Sequence, residues 1–169
     1  MKGDVEKKII YSHPHFAEPM LDYIIQDFIN SRRRLADNTI GGMVVCDSSE
    51  QARILFNIFI NKYNPEQKTI ENIETNNVSF SNPCTEYVSY KSEIKRNLTA
   101  SIILHDIGSK DNRKDETDYF KEGKIDILFV YNMLLTGFNA PRLKKLYIGR
   151  IIKEHNLLQT LTRVNRPYN

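Results

Sequence analysis

Phe16, Met20, Ile24 and Phe28 recur every fourth residue, with Leu21, Ile25 and Ile29 beside them. That spacing lays one apolar stripe along a helix and predicts an amphipathic helix over about 16–35. Gly41 and Gly42 then break it. Met43 to Cys46 is a short apolar segment of strand length, and Ser48 with Gln51 three residues later has the form of a capping box that opens a second helix. Ala52, Leu55, Phe56, Phe59 and Ile60 supply the buried stripe of that helix.

From Asn64 to Asn97 the chain turns to Asn, Glu, Ser, Thr and Lys with Pro65 and Pro83. This is too polar for a core and too long for an ordinary connection, so 64–97 reads as a variable insertion. Regular structure resumes with a strand over Ser101 to His105 and a helix over about Lys114 to Glu122, ended by Gly123. Asp115, Glu116 and Asp118 fall near its expected start, where acidic side chains favour a helix N-terminus. Ile125 to Tyr131, with its continuous Ile-Leu-Phe-Val run, predicts a strand buried on both faces. Leu146 to Ile148 predicts another. A last helix spans about Glu154 to Arg166 and stops at Pro167.

Apolar strands alternating with helices, with no hairpin signal between them, imply crossover connections and a mainly parallel sheet covered on both faces. The fold class is α/β. The 169 residues, 40% of them hydrophobic, suffice for one core, so a single domain over 1–169 is expected. The 24 basic and 21 acidic residues give a net charge of +3 spread along the chain, so any contact with DNA must be local. Cys46 and Cys84 lack the spacing of a metal site or a disulfide framework, and His13 and His15 flank Pro14 with no third ligand, as in a surface loop. No metal site is expected from these residues. With no signal-peptide pattern and no apolar run of ~18 residues, a reduced cytoplasmic setting and no membrane are expected.

At about 100° per residue, Leu157, Leu161 and Val164 share one face of the last helix, and Gln159, Arg163 and Arg166 converge on the other. The bland alternative is a solvated basic face. The functional one is a pair of guanidinium forks aimed at a polyanion such as a nucleotide γ-phosphate. A second feature bears on the choice. The buried strand at 125–131 runs into Asn132-Met-Leu-Leu-Thr-Gly-Phe-Asn-Ala-Pro141, and open α/β sheets bind ligands where loops leave the carboxyl ends of strands. Gly137 permits close backbone approach there.

Residues 126–141, with Leu135-Thr-Gly-Phe-Asn139 at their centre, resemble motif V of superfamily 2 helicases in the form seen in type I restriction R subunits. Leu158-Gln-Thr-Leu-Thr-Arg-Val-Asn-Arg166 resembles motif VI, and Gly42-Met-Val-Val-Cys-Asp-Ser-Ser49 is similar to motif IV. Asn139 stands where the family usually has Asp, and Thr162 where many members have Gly. The resemblance implies a three-layer RecA-like fold, the second motor domain of an R subunit that hydrolyses ATP with Mg2+ between two such domains. It implies that Arg163 and Arg166 reach the phosphates, Arg166 as arginine finger, with Gln159 positioning nucleotide or the arginines and Gly137 and Asn139 sensing nucleotide. Thr136 would touch the DNA backbone. Ser48, at a helix N-terminus, would hold a DNA phosphate.

The chain carries no phosphate-cradling Gly-rich loop with its Lys; at the only Gly-Lys pair, Gly123-Lys124, Asp118 stands where the first Gly belongs. The resemblance therefore implies that a first RecA-like domain of the same subunit supplies that loop, and that this chain alone neither hydrolyses ATP nor cuts DNA. The implied partners are double-stranded DNA and the modification and specificity subunits, in a bacterial or archaeal cytoplasm. Two other readings stay open: another superfamily 2 DNA or RNA helicase, and a free-standing α/β module that binds phosphate.

Overall fold

The computed structural model describes residues 13–64, 98–134 and 138–149. Helix α1, Pro14–Leu35, opens with His13 as N-cap, whose ring accepts from the His15 amide at 3.3 Å, and with Pro14 at its first position. Proline suits that place because its missing N–H has no partner there in any helix. The two histidines thus belong to a helix start, with rings stacked 5.1 Å apart, rather than to a loop. Ala17, Leu21, Ile24, Ile25 and Phe28 form the buried stripe. Phe16 does not belong to it: a strict four-residue repeat drifts by about 40° per step on a 3.6-residue helix, which leaves the residue 41% exposed.

The end of α1 differs from expectation. Ala36 adopts a left-handed conformation (φ 50°), the Asp37 amide donates to Arg32 O at 3.1 Å and the Ala36 amide to Arg33 O at 3.2 Å. This is a Schellman turn with alanine in the glycine position. Gly41 and Gly42 do not break the helix; they begin strand β1, Gly41–Val45. Their missing side chains make room for rings, since a Cβ on Gly41 would stand 2.5 Å from Phe120 Cζ and one on Gly42 3.1 Å from Phe28.

Helix α2 is Ser49–Tyr63, followed by strand β2, Ala100–Ile103, helix α3, Lys110–Glu122, strand β3, Ile127–Val130, and strand β4, Leu143–Ile148. Helix α3 starts earlier than its apolar pattern shows, at the N-cap Ser109, whose hydroxyl accepts from the Asn112 amide. Asp111 is therefore its first-turn acid, and Asp115, Glu116 and Asp118 lie further in. Gly123 ends it in the left-handed region (φ 88°), as expected. Strand β4 begins at Leu143 rather than Leu146, because Lys144 and Lys145 conceal a half-buried strand at the edge of the described sheet.

The strands form one parallel sheet in the order β2-β3-β1-β4. On one face α1 and α2 bury Leu21, Ile25, Phe28, Leu55 and Phe59 against Val44, Ile127 and Phe129. On the other, Phe120 of α3 packs with Met43, Val45, Leu128 and Val130, joined by Phe138 and Ala140. The result is a three-layer α/β fold with a buried centre, as RecA-like domains have. Asn64, the first residue of the expected insertion, is buried and donates its amide to Leu98 O at 2.9 Å, joining the residues on either side of 65–97. The last expected helix lies outside the described residues.

Candidate functional site

Because all described strands run the same way, their carboxyl ends share one edge. Ser49, Leu104, His105, Asp106, Tyr131, Asn132 and Met133 line a cleft of about 400 Å3 there. Each wall has its own fastening. The β1–α2 turn is held by the Ser48 hydroxyl, which accepts from the Gln51 amide at 3.0 Å, and by Gln51 Oε1, which accepts from the Asp47 amide at 2.7 Å. The expected capping box is thus present, with the glutamine reaching one residue further back. Gln51 is fully buried, so its amide is a fixed part of the turn.

The β2–α3 wall is held by Arg113, whose guanidinium donates to His105 O at 3.2 Å, Ile107 O at 3.0 Å and Gly108 O at 2.8 Å. Arg53 of α2 reaches across to Asp106 at 2.7 Å and holds that carboxyl below the usual range. Both side chains are exposed, so this pair orients the wall more than it stabilises the fold. The β3 wall is the unusual one. Asn132 (φ 54°) and Leu134 (φ 60°) are both left-handed, which asparagine tolerates and leucine does not, at about 1–3 kcal/mol for such a residue. Cys46, just past the end of β1, donates its amide to Val130 O at 2.8 Å. Burial pushes its thiol up to about 12, so it is inert packing.

The Ser48–Ser49 turn and Tyr131–Met133, in the middle of the motif V-like stretch, therefore meet at one edge. Asp126, the first residue of that stretch, stands at the opposite edge in an ionic cluster with Arg32 and Arg142. Asn139 is exposed between the buried Phe138 and Ala140. Thr136, Gly137, Gln159, Arg163 and Arg166 lie outside the described residues, as does Cys84. At the cleft an anion would meet the α2 N-terminus, whose first amides have no partner within the helix. Sequence reasoning missed Arg53, Arg113 and Arg142. Arg113 alone stands near its partners in sequence, 5 to 8 residues after the turn carbonyls it serves, whereas Arg53 and Arg142 bond groups far along the chain.

Residues 36–169 match the family model described as type I restriction enzyme subunit R domain 3. The chain belongs to that family. It is 32% identical over 128 residues to the putative type I restriction enzyme MjaVIIIP endonuclease subunit of Methanocaldococcus jannaschii, covering 74% of this chain and 12% of that protein. It is 34% identical over 83 residues to the MjaVIIP endonuclease subunit of the same organism, covering 49% and 7%. The SauCOLORF180P endonuclease subunit of Staphylococcus aureus is 48% identical over 46 residues, 27% of this chain and 5% of that protein. The chain thus spans 12% or less of these relatives. All three motif-like stretches of this R-subunit domain fall inside the matched residues, whereas α1 precedes them and still supplies much of one core face. No described helix is long and apolar enough to cross a membrane.

Proposed function

We propose that this R-subunit domain, taken as one unit over 1–169, is the second RecA-like motor domain of an ATP-dependent double-stranded DNA translocase within a type I restriction endonuclease. The observation that carries the reading is the meeting of the Ser48 turn and the strained Tyr131–Leu134 segment at the carboxyl edge of a parallel sheet. This is the edge where open α/β sheets bind ligands. Membership of the R-subunit family supports it.

In this reading ATP with Mg2+ is held mainly by a first RecA-like domain and provides the phosphoryl bond whose cleavage drives movement. Arg163 and Arg166 offer guanidinium forks to the phosphates, Arg166 as arginine finger, and Gln159 orients them. Gly137 and Asn139 sense the nucleotide. Ser48 and Thr136 take the DNA backbone, Ser48 through the α2 N-terminus. The modification and specificity subunits, in a prokaryotic cytoplasm, complete the assembly and choose the DNA sequence.

The test is Arg166→Ala in the intact subunit. Loss of an arginine finger lowers ATP turnover about 10³-fold or more while DNA binding stays close to wild type. Near-normal turnover removes Arg166 from that role. The 169-residue chain alone is expected to show neither ATPase nor nuclease activity, and measurable DNA-stimulated ATPase from it defeats the two-domain reading.

A further inference from the structure

Residues 131–142 carry the chain from the carboxyl end of β3 back to the amino end of β4, and their described residues are neither helix nor strand. Where those described residues lack helical hydrogen bonds, their path is set by side-chain anchors. Three are visible, Phe138, Ala140 and Arg142, each buried in or against the core around Phe120. The Phe138 ring lies 5.9 Å from that of Phe120, and the Arg142 guanidinium 4.9 Å from it.

Arg142 is the most restrained. Its Nε donates to Thr39 O at 2.9 Å, and its Nη1 donates to Phe120 O at 2.6 Å and to Ile125 O. Its Nη2 stands 3.7 Å from Asp126, and its own carbonyl accepts from the Gly41 amide at 2.7 Å. One side chain thus joins the approach to β1, the last turn of α3 and the approach to β3. Burying a charge is a poor route to stability, since apolar residues of similar volume often serve as well. What a fixed fork of donors adds is direction.

We propose that Arg142 is a positioning residue for the described parts of the β3–β4 connection, 131–134 and 138–141, fixing the return to the sheet and with it the stance of Tyr131, Asn132 and Met133 in the cleft wall. The lysine in Arg142→Lys keeps the charge and loses the fork; the side chain in Arg142→Met keeps the length and loses the charge. The consequence for activity rests on the motor reading above.

The experiment measures amide hydrogen exchange and DNA-stimulated ATP turnover in the intact subunit carrying each substitution. In Arg142→Lys, exchange at 131–134 and 138–140 accelerates about tenfold or more while β1 and β3 keep wild-type protection. Turnover falls about tenfold or more with KM for ATP unchanged. Should Arg142→Met not fold, Arg142→Lys alone carries the test. Wild-type exchange at 131–134 and 138–140 overturns the proposal, as does a loss of protection shared equally by β1 and β3, which marks a general stability role. Local acceleration with unchanged turnover supports the positioning role and counts against the motor reading instead.

Discussion

Asp126, at the amino end of β3, holds its carboxylate 2.5 Å from the guanidinium of Arg32 in the last turn of α1. The side chains are 15% and 10% exposed, and each is tied further. Arg32 Nε donates to Ile40 O at 2.9 Å, and Asp126 Oδ2 accepts from the Thr99 amide at 3.1 Å. Asp126 thus fastens a helix and two neighbouring strand starts, at the edge away from the cleft.

Removing one member of such a pair leaves the other as a poorly solvated charge, and here two guanidiniums face the vacated position. Asp126→Ala is expected to cost about 3 kcal/mol, and Asp126→Asn, which keeps an acceptor for Thr99, clearly less. Urea unfolding midpoints measure both. Equal losses would assign the whole effect to the lost charge, since the asparagine keeps the acceptor for Thr99.

Ala36 adopts a conformation that costs an L-residue roughly 1–2 kcal/mol, partly offset because alanine gives up less chain entropy on folding than glycine. Ala36→Gly is therefore expected to stabilise the chain by about 0.5–1 kcal/mol. The reverse change at the equivalent turn, Gly123→Ala (φ 88°), should destabilise by a similar amount. A loss at Ala36→Gly in thermal melting would rule out backbone strain there.

The sequence made legible what is local or periodic. The stripes of α1 and α2, the all-buried β3 and the Ser48–Gln51 turn each carry their signal within a few residues. Strand β4 was half hidden, because a strand at the edge of the described sheet buries only part of each side chain and Lys144 and Lys145 mask its period. Arg142 was hidden altogether: its carbonyl partners lie 22, 17 and 103 residues away, and no window along the chain contains them. Gly41 was visible but misread, since a glycine that ends a helix and one that admits a distant ring look alike until Phe120 is in place.

That close approach gives a sharp mutational contrast. Gly41→Ala puts a methyl 2.5 Å from Phe120 Cζ, in a core where extra carbon costs about 1–3 kcal/mol. Combined with Phe120→Leu, which withdraws the ring, the two losses should be less than additive by at least about 0.5 kcal/mol. Strict additivity in a double-mutant cycle would show that the strand, not the ring, excludes the methyl.

Acid sensitivity should centre in part on Asp27. Residues 145 and 147 point to the same side of β4, and both reach this carboxylate on α1: Lys145 Nζ at 2.7 Å and the Tyr147 hydroxyl, donating, at 2.8 Å. The Lys145 hydrogen bond, aided by Tyr147 and opposed by partial burial, holds Asp27 below the usual carboxylate range. A depressed carboxylate contributes stability that is fully present above its unfolded pKa, about 4, and is lost as pH falls through the lower folded value. Asp27→Asn keeps an acceptor for both donors but cannot titrate. Its melting temperature should therefore lie below wild type at pH 6, with the gap narrowing as the pH is taken down past 4 toward 3. The group is about one-third exposed, so the gap should also shrink with added salt. A gap that stays constant across both titrations would mean that the lost contribution is the geometry of the hydrogen bonds and not the charge on Asp27.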